Sequence, residues 1–251
     1  MIEFKDIKKQ IRAEGFKPYK GAYYRVVNDV LHKILLRTIP FAQEFDVQFE
    51  IIPLCAEITP MDLDPDCLYR LSDLYPPYAW AYGGKYRPTR EECLHRVLDA
   101  LQHQLFPMLL NANSCHGAFP ALYDFLYRCE ENRLQTLRME GGQNRAKPFE
   151  WRTLWDGNLL YMALKNKDYA YALRSIKQIV EEDEFYLGKY IVERMQEGLP
   201  IPEDVLKKTP GLFDQFIWDI EHNVFDYIDI VLEYNEKRSR ELLQQTLFSK
   251  G

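Results

Sequence analysis

The 251-residue chain is 47% hydrophobic and 14% aromatic, which is enough to bury a sizeable core, excludes overall disorder and predicts one large domain or two small ones. Its formal net charge of −6 disfavours a general nucleic-acid binder, because such proteins usually carry an excess of basic residues. No apolar stretch approaches the length of a membrane span, and the start lacks the features of a secretory signal. We therefore expect neither nucleic-acid nor membrane partners.

Charge is distributed unevenly along the chain. Residues 1–40 contain nine basic and four acidic residues, a net +5, which leaves −11 for the remaining residues. The basic segment either faces an acidic partner or is paired within the molecule with the acidic helices that follow. Exposed charges are seldom specific sites, which favours the second interpretation.

The cysteines are spread widely through the sequence without a Cys-x-x-Cys pair. They are Cys55, Cys67, Cys93, Cys115 and Cys129. An odd number of widely spaced cysteines is typical of free thiols rather than of a disulfide framework. We therefore predict a cytoplasmic protein with reduced cysteines.

The N-terminal part carries the strongest β signal in the sequence. Residues 22–27 and 30–39 are rich in β-branched and aromatic residues, and the Asn28-Asp29 link between them tolerates the positive φ of a tight turn. These two segments predict a hairpin. A third strand is predicted over 47–58, with a bend beside Pro53, where the apolar positions change parity.

A short helix is predicted before the hairpin, because apolar residues recur at helical spacing from Ile2 to Ile11 and Gly15 can end the helix. With the hairpin, the segments Gly15-Phe16-Lys17 and Tyr23-Tyr24-Arg25 resemble an uncharacterised bacterial family, a domain of unknown function, whose members open with a short helix, a Gly-Phe step and antiparallel strands. Some members are encoded near polymorphic toxin systems. The resemblance covers about the first half of the chain, implies an antidote or partner-binding role, and supplies no catalytic residues.

Residues 75–86 are unusually aromatic for a segment that prolines keep irregular. Their rings either seal the sheet against the helices or form a recognition surface. In the second case they would combine with basic residues of the hairpin, giving the aromatic anchors and charged rim of an interface. The candidate binding residues are therefore Lys17, Lys20, Arg25, Tyr78, Trp80 and Tyr82.

Most of the sequence after residue 88 predicts helices. A capping box at Thr89-Arg90-Glu91-Glu92 begins one helix, which Pro107 ends or kinks, and Pro120 suits the first turn of the next. Further helices are predicted over 148–165, 168–196, 202–208 and 210–247. The last of them carries a long apolar stripe and should be central to the helical half.

These elements together predict an α+β fold. An N-terminal antiparallel β-sheet with flanking helices is followed by an all-helical C-terminal subdomain. A polar, glycine-containing stretch near residue 146 predicts the boundary between an α+β domain over 1–146 and a helical subdomain over 147–251.

Two residue clusters could carry chemistry. Asp62-x-Asp64-x-Asp66 has the alternating carboxylates of a calcium loop, but it lacks the glycine and the final glutamate of the EF-hand pattern. Cys115-His116 could be a thiol nucleophile with its base, although sequence neighbours seldom reach the required geometry. Cysteines and histidines do not cluster at metal-ligand spacing. We therefore predict no metal, no cofactor and no identifiable catalytic residue.

The leading functional hypothesis is a cytoplasmic protein-binding module, in its more specific form a toxin antidote or immunity protein. The alternative is an enzyme with a cleft between the subdomains, where Cys115, His116 or the acidic turn would act. A structural subunit of an assembly is a third interpretation. A cleft containing titratable groups with shifted pKa values would favour the enzyme, whereas an exposed aromatic patch would favour the binding module.

Overall fold

A computed structural model describes residues 3–39, 44–65, 67–74, 90–139, 153, 156–196 and 212–248. This part of the chain confirms the predicted α+β fold, with an antiparallel sheet followed by a mostly helical half. The boundary predicted near residue 146 and the helix predicted over 202–208 lie outside the described residues.

The described strands form one antiparallel meander in which each strand pairs with the next along the chain. They are β1 (Lys17–Tyr19), β2 (Ala22–Val27), β3 (Val30–Ile39), β4 (Glu44–Pro53) and β5 (Tyr69–Arg70). The predicted hairpin is confirmed, with Val27 directly opposite Val30. Its turn places Asn28 at φ +48°, a left-handed conformation that asparagine adopts at little cost.

The strand predicted over 47–58 is wrong at both ends. β4 begins at Glu44 and ends at Pro53, which is opposite Val30. Beyond Pro53 the Leu54 amide donates to the Asp29 carbonyl, and the chain turns away from the sheet. The parity change in the sequence therefore marks the end of the strand rather than a bulge within it.

Both faces of the sheet are covered. One face packs into the main core with the helices, including Ile7 and Ile11 of α1 (Phe4–Ala13), which Gly15 follows at φ +85° as predicted. The other face packs against residues 54–63 and the C-terminal helix, chiefly through Tyr24 and Leu31. Strands buried on both faces leave little room for charged groups, which makes the polar side chains inside this sheet informative.

The helices follow the sheet in chain order. They are α2 (Arg90–Ala100), a π-turn (Leu101–Leu105), α3 (Phe106–Asn111), α4 (Cys115–Met139), α5 (Gly157–Lys165), α6 (Tyr169–Gln196), α7 (Leu212–Glu221) and α8 (Asp226–Leu243). Asp156 caps α5 by accepting from two of its first amides. Across the described residues, no helix combines the length and apolar character needed to cross a membrane.

Two prolines lie within helical segments. Pro107 follows a π-turn in which the Phe106 amide donates to the Leu101 carbonyl, and the helix then continues as α3. The prediction that Pro120 occupies a first turn is wrong, because α4 already begins at Cys115. Gly117 permits this early start, since a Cβ there would collide with the carbonyl oxygen at the end of α3.

The single helix predicted over 210–247 is two helices. α7 ends at Glu221, Asn223 adopts φ +57°, and the Val224 amide donates to the Asp219 carbonyl. This bonding pattern is typical of a helix C-terminus closed by a left-handed residue. The break lets α8 take its own direction from Asp226 onward.

α8 packs back onto the N-terminal sheet. Its Asn235 donates to the Cys55 carbonyl at 3.2 Å, and its Ser239 accepts from the Ile58 amide at 3.0 Å. Arg240 donates to the Asn28 carbonyl in the hairpin turn at 2.7 Å. The last described helix is therefore tied by hydrogen bonds to the first hairpin.

Candidate functional site

The predicted basic residues of the hairpin have different surroundings. Lys17 is exposed on β1, a three-residue edge strand that includes Pro18. A short edge with Lys and Pro discourages pairing with another strand. Lys20 lies in the β1–β2 turn and pairs with Asp64 at 3.1 Å, with both side chains about half exposed. Such surface pairs contribute little to stability.

Arg25 is half-buried and is held by three contacts. It donates to the Glu14 carbonyl at 2.8 Å and to His32 Nδ1 at 3.2 Å, and its guanidinium lies 4.6 Å from the ring centroid of Phe16. These contacts join the end of α1 to the sheet. Arg25 is therefore engaged within the fold, whereas Tyr78, Trp80 and Tyr82 lie outside the described residues, so their pairing with the hairpin stays a prediction.

His32 is fully buried between the sheet and the end of α3. Its Nε2 donates to the Ala112 carbonyl at 2.7 Å, and its Nδ1 accepts from Arg25. This arrangement requires the neutral tautomer with its proton on Nε2. Burial, assisted by the positive charge of Arg25, lowers the pKa of His32 to about 4.

The candidate nucleophile Cys115 is buried at the first residue of α4 rather than in a turn between helices. Its thiol donates to the Asp29 carbonyl at 3.7 Å, and the neighbouring Cys55 thiol donates to the Tyr161 carbonyl at 3.6 Å. The neighbouring Cys55 thiol and burial raise the pKa of the Cys115 thiol far above its ordinary value. The thiol is protonated at neutral pH, and its neighbour His116 is exposed, so the pair does not form a nucleophile with its base.

The two described carboxylates of the acidic turn, Asp62 and Asp64, are bound by separate groups of the chain. Asp62 accepts from the amide and hydroxyl of Thr59, each at 2.7 Å, and Asp64 pairs with Lys20. Asp66 lies outside the described residues. Within the described ranges, no group of three His, Cys, Asp or Glu residues is placed to hold a metal ion.

A buried ionic junction joins the sheet to α5. Lys33 Nζ lies 3.5 Å from Glu50 Oε2 and donates to the Asp62 carbonyl at 2.8 Å, and the Lys33 side chain is only 3% exposed. Asn158 donates to Glu50 Oε1 at 3.4 Å. Burial raises the pKa of Glu50.

A second buried pair lies beside this junction. The Tyr69 hydroxyl donates to Asp156, the residue that caps α5. Burial raises the pKa of both groups. The groups with shifted pKa values in this region are hydrogen-bonded to other side chains of the same molecule. Such an arrangement is typical of a structural hydrogen-bond network.

α8 exposes three large apolar side chains in one row. Tyr227, Ile230 and Tyr234 are 43%, 63% and 58% exposed, respectively. Their spacing of three and four residues places them on one helix face, away from the buried Ile228 and Leu232. We define these three exposed residues as the α8 row.

Neighbouring side chains support the rings of the α8 row. A separate exposed aromatic on α7, Trp218, is 49% exposed and stacks on His222 at 4.2 Å between ring centroids. The Tyr227 ring packs edge-on against Phe216 at 6.3 Å. The Arg238 guanidinium lies 5.7 Å from the ring centroid of Tyr234. The aromatic rings are therefore held at the surface by contacts along their sides.

The rim of the α8 row is acidic. Three exposed carboxylates on α8 make no ion pair with a described residue, namely those of Asp226, Glu233 and Glu241. Lys237 is the exposed basic group on this helix that likewise has no ion pair within the described ranges. The charged side chains of α8 that have no ion pair among the described residues therefore carry a net negative charge.

The sequence pattern does not predict this surface. When residues 210–247 are taken as one continuous helix, Tyr227 falls in its apolar stripe, and Ile230 and Tyr234 lie outside that stripe. The polar His222-Asn223 pair was the signal in the sequence that one helix ends and another begins here. When α8 is considered as a separate helix, its apolar residues occupy two opposite faces, and only one of them can face the core.

Comparison with known proteins reveals no relative of this chain. No family model matches the sequence, and no curated protein or solved structure is significantly similar to it. The resemblance of about the first half of the chain to an uncharacterised bacterial family therefore stays a prediction.

Proposed function

We propose that this chain is a protein-binding module and that the α8 row is its docking face. The observation that carries the proposal is the exposure of three large apolar side chains along one helix. Single exposed apolar residues are ordinary, but a row containing two tyrosines has the composition of interface anchors. Burying such a row would be favourable by about 25 cal/mol for each Å² of apolar surface removed from water.

The charge around the row defines the chemistry of the partner. A net acidic rim favours a partner whose apolar strip is flanked by Lys and Arg. A second copy of this chain would place acidic rim against acidic rim, which disfavours self-association. An amphipathic helix with basic flanks fits the row best, because its own apolar residues repeat at the same helical spacing.

The location and biological role are finer parts of the same proposal. The described cysteines with free thiols, Cys55, Cys67, Cys115 and Cys129, are consistent with a reducing cytoplasm. The family resemblance of the N-terminal half supports an antidote role, in which the partner would be a toxin with a basic surface. An enzyme receives less support, since the buried groups with shifted pKa values, such as Glu50 and Asp156, are bound within the fold.

Ile230→Asp should abolish partner retention, because it places a charge at the centre of the row, where hot spots concentrate. Ile230 is 63% exposed, so the free energy of unfolding should change by less than about 0.5 kcal/mol. Affinity capture from the native host with quantitative mass spectrometry measures the loss.

Leu110→Asp is the matched control, since Leu110 is an aliphatic residue that is 60% exposed and belongs to α3 rather than to the row. The proposal predicts a protein that the wild type and the control retain and that Ile230→Asp loses by at least tenfold. A set of captured proteins that is the same for all three chains would contradict it.

A further inference from the structure

We infer that the chain has a second binding site, a cavity of about 240 Å³ between the π-turn and α4 that binds a free amino acid with an apolar side chain. The site is separate in sequence from the α8 row. Its ligand would be a small zwitterion rather than a protein.

The π-turn builds one wall of the cavity. Gln104, Met108 and Asn111 line it at the spacing of a single helix face. His103 and Leu105, which flank Gln104 in the chain, line it as well, so the wall is wider than one helical face. π-turns inside helices occur frequently at functional sites.

The floor of the cavity is apolar and fixed in place. Leu71, Leu105 and Phe125 contribute to it and are at most 3% exposed. The Phe125 ring is held edge-on by Phe49 at 4.8 Å and by Tyr69 at 6.1 Å between centroids. These buried residues form a packed layer beneath the cavity, and the half-buried Met108 and Ala121 provide the apolar lining that a ligand can touch.

Two opposite charges lie on α4 at the rim. Arg128 Nη2 donates to Gln104 Oε1 at 3.0 Å, which orients the guanidinium and leaves its other donors available. Asp124, one helical turn earlier, also lines the cavity and makes no hydrogen bond or ion pair with a described residue. A carboxylate prefers the planar donors of arginine, and an ammonium group prefers a free carboxylate.

The volume of the cavity limits the size of the zwitterion that it can bind. Pockets for drug-sized ligands have volumes of about 300–1,000 Å³, so a 240 Å³ cavity accepts a smaller molecule. An amino acid places its carboxylate and ammonium groups on one carbon, which suits two opposite charges that lie one helical turn apart. Its side chain would then lie against the half-buried Met108 and Ala121.

Calorimetric titration of the full chain with L-phenylalanine tests the inference. We expect saturable binding at one site per chain. Two related compounds test whether each charged group of the amino acid contributes to binding. 3-Phenylpropionate lacks the ammonium group, and phenethylamine lacks the carboxylate. Each should bind at least tenfold more weakly than L-phenylalanine.

Variants assign the binding to this cavity. Arg128→Gln and Asp124→Asn change exposed side chains, should fold normally by circular dichroism, and should each weaken L-phenylalanine binding at least tenfold. Glu131→Gln removes a charge from the same helix outside the cavity lining and should leave the affinity unchanged. Absence of binding at millimolar L-phenylalanine, equal binding of the three probes, or unchanged binding by Arg128→Gln would each overturn the inference.

Discussion

Lys33→Met should lower the free energy of unfolding by about 3–5 kcal/mol, the cost of leaving one partner of a buried ion pair uncompensated. Lys33 is 3% exposed, and Glu50, whose side chain is 13% exposed, lies 3.5 Å from its ammonium group. Without Lys33, the 3.4 Å contact to Asn158 would be the one hydrogen bond left to Glu50 among the described residues, and the Asp62 carbonyl would lose the Lys33 donor. Urea denaturation at neutral pH measures the loss.

Two further variants test whether the loss of stability in Lys33→Met comes from leaving the Glu50 charge buried without its partner. Lys20→Met breaks an ion pair of similar length, 3.1 Å, at the surface and should lower the free energy of unfolding by less than about 1 kcal/mol. The double variant Lys33→Met/Glu50→Leu should recover most of the stability, because both charges are then absent. A single Lys33→Met variant as stable as the wild type would contradict the buried junction.

Acidification should destabilise the protein through His32 by about 3 kcal/mol between pH 6.5 and pH 4, the range between the ordinary and the folded pKa. Because the folded pKa is the lower of the two, the unfolded chain gains a proton first as the pH falls. The stability is therefore complete above pH 6.5 and is lost progressively down to about pH 4. Protonation in the folded state would place an imidazolium beside Arg25.

His32→Gln isolates this contribution from the carboxylates that titrate in the same range. A glutamine can donate to the Ala112 carbonyl and accept from Arg25 without titrating. The difference in unfolding free energy between wild type and variant should change by about 3 kcal/mol between pH 7 and pH 4. A difference that is constant over this range would show that the pKa of His32 is the same in the folded and unfolded chains, and would contradict the buried neutral imidazole.

The N-terminal sheet could be predicted because its signals are local. β-branched and aromatic runs flank Asn28, whose side chain suits the positive φ of the turn, and the hairpin follows from these residues alone. β1 was missed because it is only Lys17–Tyr19, too short to show an alternating pattern. Residues 54–58 were predicted as strand because Leu54, Cys55 and Ile58 are apolar. Their side chains are buried in the cores on both sides of the sheet, and a strand buried on both faces would show the same apolar residues.

Helix boundaries were predicted less well where long-range contacts decide them. Pro120 suggested a helix start, but the start of α4 is fixed at Cys115, whose amide donates to Asp29 of the hairpin turn at 3.0 Å. Gly117 then allows the close approach of α3 to α4. The sequence of α4 alone does not predict the hydrogen bond to Asp29 or the close approach of α3.

The candidate sites depended even more on tertiary structure. The periodicity of residues 210–247 did not show which apolar residues face water, because Tyr227 and Ile228 are adjacent in the chain, yet the first is 43% exposed and the second is buried. Likewise, Lys33 and Glu50 become a pair only through the register of β3 and β4. Arg25, predicted as a binding residue from its charge, is held by Glu14 and His32, two partners that its position in the sequence does not reveal.

Site-specific photo-crosslinking in the native host tests the proposed docking face most directly. A benzophenone amino acid is introduced at Tyr234, which is 58% exposed in the α8 row, and separately at Tyr127, an α4 tyrosine that is 47% exposed. Our account predicts a discrete adduct with one other protein from position 234 and none from position 127. The absence of an adduct at position 234, an equal yield from both positions, or an adduct containing only a second copy of this chain would contradict it.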